Sequence, residues 1–240
     1  MRKLIGILLI GGFAFYLVTV GMGLFTPESS SELNSIGSEI ISTSPDLSGA
    51  ANTVTAVVVQ YRGFDTLGEV TVLFVSALGV GMFAAAIKDG LLKDLFDDDG
   101  GFVLQAGSLA LLPFIALVGL YIIFHGHLSP GGGFPGGVII ATAVFVVILT
   151  SRTLNIPGGL INLLETLAGL SFLAIGFVGL YSPAQSFLAN ILPKGEFGTL
   201  LSAGFIPVIY AIVAVKVASE LINIIAKLTA AGSASEEAAE

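Results

Sequence analysis

Six long, mostly apolar stretches constrain this 240-residue chain more than any other feature. A helix rises about 1.5 Å per residue, so roughly 20 apolar residues cross the hydrocarbon core of a bilayer. The stretches do not alternate, and backbone that faces lipid must satisfy its own hydrogen bonds, which favours helices over barrel strands. The sequence predicts an all-α integral membrane protein with about six transmembrane helices, at residues 4–25, 67–88, 102–124, 134–151, 163–183 and 201–226.

Composition agrees with this class and excludes several others. Hydrophobic residues make up 55% of the chain and charged residues 11%, against about 25% charged residues in a soluble domain. The chain has no cysteine and two histidines, which excludes a disulfide framework, a thiolate metal site and iron–sulfur ligation. We therefore expect no cofactor, no metal site and no catalytic centre in this chain, and no nucleic-acid partner.

Lysine and arginine in the short loops set the predicted orientation. If the N-terminus is cytoplasmic, six basic residues lie inside and two outside; those inside are Arg2, Lys3, Lys88, Lys93, Arg152 and Lys227, and those outside are Arg62 and Lys194. The chain is thus predicted to be a multi-pass protein of the cytoplasmic membrane, N-in and C-in. We also expect an external loop at residues 26–51 and a disordered acidic tail at 231–240.

Ionisable residues inside apolar helices cost about 2.5–3.5 kcal/mol each, so each is a functional candidate. Glu69 follows Asp65 by four residues and shares a helical face with it if the helix has begun there. A carboxylate at that depth could carry a proton or hold a cation, since burial raises its pKa. The alternative is a structural ion pair between Glu69 and Arg62.

The last predicted span contains a second candidate. Lys216 lies near its middle, and Glu220 follows one turn later on the same face. Either Lys216 carries protons or repels cations, or the two residues form a neutralising pair that never titrates and fixes the packing. Glu165 is predicted to lie near the cytoplasmic boundary and to face water.

A glycine-rich loop separates the third and fourth spans. It runs from His125 through His127 to Pro130, Gly131, Gly132, Gly133 and Phe134, followed by Pro-Gly-Gly. Glycine permits close backbone approach, free N–H groups could hold an anion or orient water, and His125 could relay protons near neutral pH. The alternative is a tightly packed turn in which His125 is hydrogen-bonded structurally.

This loop and the helix after it resemble the signature of the MnhB/MrpB subunit of multisubunit Na+/H+ antiporters, over roughly residues 101–228. The segment from Asn52 to Val72, with its Arg-Gly-Phe-Asp and Gly-Glu motifs, resembles the C-terminal membrane region of the large MrpA subunit. The resemblance divides the chain into a two-helix MrpA-like segment at 1–98 and a four-helix MnhB/MrpB-like domain at 99–230.

The resemblance implies a subunit that contributes to proton and sodium translocation. By this analogy Glu69 matches a glutamate important for ion movement, and His125 with Pro130–Phe134 matches the loop of the B-type subunit. Here the MrpA-like segment is joined to the B-like half and not to a large antiporter-like subunit. This arrangement resembles the Mrp-like modules of archaeal membrane-bound hydrogenase and sulfur-reductase complexes. The implied partners are other Mrp-like antiporter subunits, a hydrogenase-like redox arm and membrane lipids. The alternative is a non-conducting scaffold subunit of a stand-alone Mrp-type antiporter.

Overall fold

A computed structural model describes residues 6, 10–16, 18, 19, 22, 27–86, 101–151, 157–183 and 185–233. The chain divides into two compact units, Met1–Leu47 and Ser48–Glu240. The described helices are α1 (Pro27–Ser48), α2 (Thr53–Ala56), a π-helical turn (Val57–Tyr61), α3 (Gly63–Ala86), α4 (Gly101–His125), α5 (Gly133–Ser151), α6 (Gly158–Leu180) and α7 (Ile206–Ser233).

The all-α membrane architecture is confirmed. Among the described residues, five helices are long and apolar enough to cross a bilayer; they are Gly63–Ala84, Gly101–His125, Gly133–Thr150, Gly158–Leu180 and Ile206–Leu228. They correspond to the last five predicted spans, so the helix count agrees roughly with the prediction. Half of the predicted span at 4–25 lies outside the described residues, as does most of the predicted tail at 231–240.

The prediction of a loop at residues 26–51 was wrong, because Pro27–Ser48 forms a helix of 22 residues. Pro27 occupies its first position, where the missing N–H of proline leaves no hydrogen bond unmade. The helix is rich in serine. Its apolar residues Leu33, Ile36, Ile40 and Leu47 recur at helical spacing but are few, so the polar composition suggested a loop instead.

Helix α7 is the centre of the unit Ser48–Glu240. It packs against α3, α4, α5 and α6, and α4 also packs closely against α5. Small residues permit this close approach: a methyl group added at Gly119 of α4 would lie 2.8 Å from Cγ1 of Ile140 in α5. The buried core includes Phe172, Leu188, Ile206, Ile209 and Val217. This arrangement brings the polar residues of α7 against those of α6.

Candidate ion-translocation site

Three charged side chains meet inside the bundle between α6 and α7. Lys216 Nζ lies 3.3 Å from Glu165 Oε1 and 3.2 Å from Glu220 Oε1. The side chain of Lys216 is 7% exposed, that of Glu165 is 16% exposed, and that of Glu220 is completely buried. Lys216 is about the eleventh residue of a 23-residue span, which places its ammonium group near the middle of the membrane. We call Glu165, Lys216 and Glu220 the charge cluster.

Two asparagines and an aromatic ring complete the surroundings of the charge cluster. Asn223 Nδ2 donates to Glu165 Oε2 at 3.0 Å and to Asn162 Oδ1 at 3.1 Å. Lys216 Nζ lies 4.9 Å from the centre of the Phe74 ring of α3, within the range of a cation–π contact. Glu220 has no polar contact among the described residues other than the ammonium of Lys216.

The structure brings together two of the predicted site residues and adds a third. Lys216 and Glu220 are paired, as their spacing of four residues allows. The expectation that Glu165 faces water was wrong, because α6 and α7 run antiparallel and place Glu165 beside the middle of α7. Polar residues recur at helical spacing on both helices, at 216, 220 and 223 of α7 and at 162 and 165 of α6. This sequence pattern could have identified Glu165 and the two asparagines as members of the site.

Glu69 lies apart from the charge cluster, on an exposed face of α3. Arg62 pairs with Asp65, and the side chains of both are largely exposed. The alternative ion pair between Arg62 and Glu69 does not form, and the side chain of Glu69 has no hydrogen bond or ion pair with any described residue. This carboxylate, about six residues inside an apolar span, is therefore directed away from the described helices of the unit Ser48–Glu240.

The glycine-rich loop is fastened to the start of α2. The backbone N–H of Asn52 donates to the carbonyl of His127 at 3.0 Å, and its side-chain amide donates to the carbonyls of Gly126 and Ser129. Thr55 Oγ1 donates to the carbonyl of Gly126 at 2.6 Å. These bonds satisfy loop carbonyl groups that would otherwise be unpaired at the end of α4.

The glycines of the loop pack against α4 and α7. Gly132 N–H donates to the carbonyl of Ile122 at 3.2 Å, and its φ of +139° is one that other residues rarely adopt. A methyl group at Gly133 would overlap the carbonyl oxygen of Tyr210, whose hydroxyl in turn donates to Thr55 at 2.8 Å. Pro130, Gly131 and Phe134 are exposed. The loop therefore joins α2, α4, α5 and α7 at one end of the bundle.

The side chain of His125 makes contacts within its own helix. Its Nδ1 lies 3.1 Å from the carbonyl of Tyr121, and its ring stacks on the Tyr121 ring with 4.1 Å between centroids. This geometry favours the alternative in which His125 is hydrogen-bonded structurally. No sequence pattern singles out Asn52, Thr55 or Tyr210, because their roles depend on contacts with residues far away along the chain.

His127 is the buried histidine of the loop. Its Nε2 lies 3.3 Å from the carbonyl of Thr199, which makes Nε2 the donor, while Nδ1 has no hydrogen-bond partner among the described residues. Burial lowers the pKa of His127 from its ordinary value of 6.5, and nearby His125 lowers it further, although the bond to Thr199 opposes them. The structure therefore favours a neutral imidazole.

Because the folded state favours neutral His127, the stability of the protein depends on pH. A folded state that disfavours protonated His127 binds fewer protons than the unfolded chain, so its contribution is present above the unfolded pKa of about 6.5 and declines as pH falls below it. We expect the thermal midpoint of the protein in detergent to fall between about pH 6.5 and pH 5, and His127→Gln to reduce that fall. His125→Gln is the control and should preserve the fall; an equal slope in His127→Gln would contradict this account.

Comparison with known proteins defines the family. Residues 103–223 match the family described as a domain related to the MnhB subunit of Na+/H+ antiporter, and residues 10–86 match the family MbhE, described as the E-type subunit of MBH. Since the first match covers half of the chain, the protein belongs to the family of proteins with an MnhB-related domain.

Individual relatives extend both matches. An uncharacterised protein of Methanocaldococcus jannaschii is 29% identical over 194 residues, which are 71% of this chain and 74% of that protein. A probable K+/H+ antiporter A/B-type subunit of Rhizobium meliloti is 29% identical over 44% of this chain, and the A-type subunit of the Na+/H+ antiporter of Bacillus subtilis is 36% identical over 31% of it. The matches span only 13% and 10% of these longer antiporter proteins.

Two solved structures share the fold. A chain of the membrane-bound sulfane sulfur reductase, an archaeal respiratory membrane complex, aligns with a TM-score of 0.77 at 36% identity, over 94% of this chain and 97% of that one. The Mrp complex of a Dietzia species aligns with a TM-score of 0.63 at 22% identity, over 90% of this chain and 26% of the other. The second likeness concerns the fold alone.

Proposed function

We propose that this chain is a membrane subunit of a multisubunit Na+/H+ antiporter module and contributes to proton and sodium translocation within a redox-driven respiratory complex. The observation that carries the proposal is the alignment, at 36% identity and nearly full length, with a chain of the archaeal sulfane sulfur reductase. The proposal includes an MrpA-like segment at 1–98 and an MnhB/MrpB-like domain at 99–230, in the N-in, C-in orientation. The matches at 10–86 and 103–223 support that division.

The charge cluster supports a part in ion movement. A charged side chain at the middle of a membrane costs about 2.5–3.5 kcal/mol by insertion scales, and this chain places three of them together there. Leucine or alanine would pack α6 against α7 without that cost. Ionisable groups kept at this depth are typical of proton and ion pathways.

Glu69 supports the presence of partner subunits. It lies on one face of α3 whose members are all exposed and recur at helical spacing, namely Asp65, Gly68, Glu69, Val72, Ser76 and Gly79. No atom lies within 4 Å of a methyl group added at Gly68 or Gly79. Small residues allow another helix to approach closely, and a carboxylate facing lipid would be costly. We expect a membrane helix of a partner protein to cover this face and to bring a hydrogen-bond donor to Glu69.

The variant Glu69→Gln tests the proposed function. It keeps the shape of the side chain but cannot exchange a proton or hold a cation by charge. In vesicles that contain the assembled complex, we expect Na+-dependent proton movement to fall by roughly a hundredfold or more, the usual contribution of a positioned proton-transfer group.

The matched control is Glu196→Gln, which removes an exposed carboxylate from the segment between α6 and α7. It should leave transport unchanged. Assembly of both variants is verified by co-purification of the partner subunits. Unchanged transport by an assembled Glu69→Gln complex would contradict the ion-translocating function and favour a non-conducting scaffold.

A non-conducting scaffold is the second candidate, favoured by the close packing at glycines. A methyl group at Gly176 of α6 would overlap the ring of Phe187, which also stacks on Phe64 of α3 with 4.8 Å between centroids. This contact ties α6 to α3 and would offer a rigid surface to neighbouring subunits. The scaffold alone gives no reason for the charge cluster, which is why translocation is the proposed function.

A further inference from the structure

The charge cluster carries one more negative than positive group. With every member ionised, Glu165 and Glu220 contribute two negative charges and Lys216 one positive charge. The neighbouring helices supply no further charge to the cluster. Helix α5 has no charged residue, and the titratable side chains of α4 are Tyr121 and His125. Helix α3 contacts the cluster through the Phe74 ring, while its Asp65 and Glu69 are exposed. Tyr210 and Lys227 are the remaining titratable residues of α7 among the described residues. No further cation faces the cluster from the described residues, and a full unbalanced charge at this depth is costly, which favours the binding of one more positive ion.

Glu220 is the member of the charge cluster at which the excess negative charge is least favourable. Its side chain is completely buried, and the ammonium of Lys216, 3.2 Å from Oε1, is the one polar contact of its carboxylate among the described residues. Glu165, in contrast, accepts from both Lys216 and Asn223 and is partly exposed. A buried ionised carboxylate that shares its single donor with a second carboxylate is unfavourable. A proton on Glu220 would remove its charge, and Lys216 would then balance Glu165 alone.

We propose that the charge cluster binds one exchangeable proton shared between its two carboxylates. A proton needs a single oxygen, whereas a hard cation needs several oxygen ligands. The proton is taken from water and bonds to a carboxylate oxygen; when it leaves, the ammonium of Lys216 bridges both carboxylates again. No electron moves in this step. The role of the charge cluster in transport rests on the proposed function, whereas the binding of a proton by the cluster does not.

The polar side chains indicate one side of entry. Asn162 lies about four residues from the start of the α6 span, and Asn223 about five from the end of the α7 span, so both lie nearer than Glu165 and Lys216 to the same membrane surface. In the predicted orientation that surface is cytoplasmic. Another face of α7 borders a cavity of about 350 Å³ lined by apolar side chains such as Leu164 and Val215. The proton therefore enters from the side of the two asparagines and reaches the cluster at the carboxylate of Glu165, which is the titratable group there.

Infrared difference spectroscopy of the purified, assembled complex tests the bound proton. Wild type should show the carbonyl stretch of a protonated carboxylic acid that shifts in D2O, and Glu220→Gln should lack this band. Glu165→Gln should lack it too, because the remaining Lys216–Glu220 pair is neutral and needs no proton. The matched control Glu196→Gln should keep the band.

A band that persists in either cluster variant overturns the proposal. Thermal unfolding provides a second test if assembly is impaired. Each single glutamine variant should melt at or above the wild-type midpoint, and a midpoint below it in either variant would overturn the charge count. The two hypotheses fail separately. A silent Glu69→Gln in transport with the band present refutes only the proposed function, and a band that persists in either cluster variant refutes only the bound proton.

Discussion

Replacing Lys216 by methionine is expected to destabilise the folded protein by about 3–5 kcal/mol, the usual cost of removing one partner from a buried ion pair. The methionine side chain fits the space approximately but leaves Glu165 and Glu220 without their shared counter-ion. It also removes the contact with the Phe74 ring. The free energy of unfolding in detergent, followed by helix content, measures the loss. Lys227→Met, at an exposed position on the same helix, should change it by less than about 0.5 kcal/mol.

The double variant Lys216→Met/Glu220→Gln separates charge from packing. Removing one carboxylate together with the ammonium leaves one uncompensated carboxylate in place of two, so we expect the double variant to be more stable than Lys216→Met alone. If Glu220→Gln brought no recovery, the loss in Lys216→Met would come from packing, and the ionic account of the cluster would be wrong.

Gly133→Ala is expected to destabilise the protein by about 3 kcal/mol, at the upper end of the cost of overfilling a packed site. The added methyl group would overlap the backbone carbonyl of Tyr210, which cannot move without shifting α7. The same shift would disturb the hydrogen bond from Tyr210 to Thr55 and hence the fastening of the loop.

Gly107→Ala is the matched control for this prediction. Gly107 also lies in a membrane-spanning helix, α4, but nothing lies within 4 Å of an added methyl group. It should change the thermal midpoint little or raise it, since alanine favours helix over glycine. Equal midpoints for the two alanine variants would contradict the close contact between the loop and α7.

The spans could be predicted from the sequence because crossing a bilayer requires one property, a sufficient length of apolar residues. That property is local, so α3 to α7 were found with bounds a few residues from those observed. Helix α1 could not be found in this way. It is a serine-rich helix with few apolar residues, too few to span a bilayer, although Leu33, Ile36, Ile40 and Leu47 recur at helical spacing.

The candidate site was only partly predictable. The spacing of Lys216 and Glu220 lies within one helix and places them on the same face. The third member, Glu165, depends on how α6 packs against α7, which no local pattern specifies. In the same way, the glycines predicted a tight loop, but Asn52, Thr55 and Tyr210 approach it from distant parts of the chain.

Purification of the tagged chain in mild detergent tests the central claim most directly. The co-purifying polypeptides are identified, and their iron and nickel content is measured. The account predicts antiporter-like membrane subunits together with a metal-bearing peripheral arm, since this chain contains no cysteine to carry redox centres. Antiporter subunits without metal would contradict the redox-driven complex, and recovery of the chain without any antiporter-like partner would contradict the proposed function altogether.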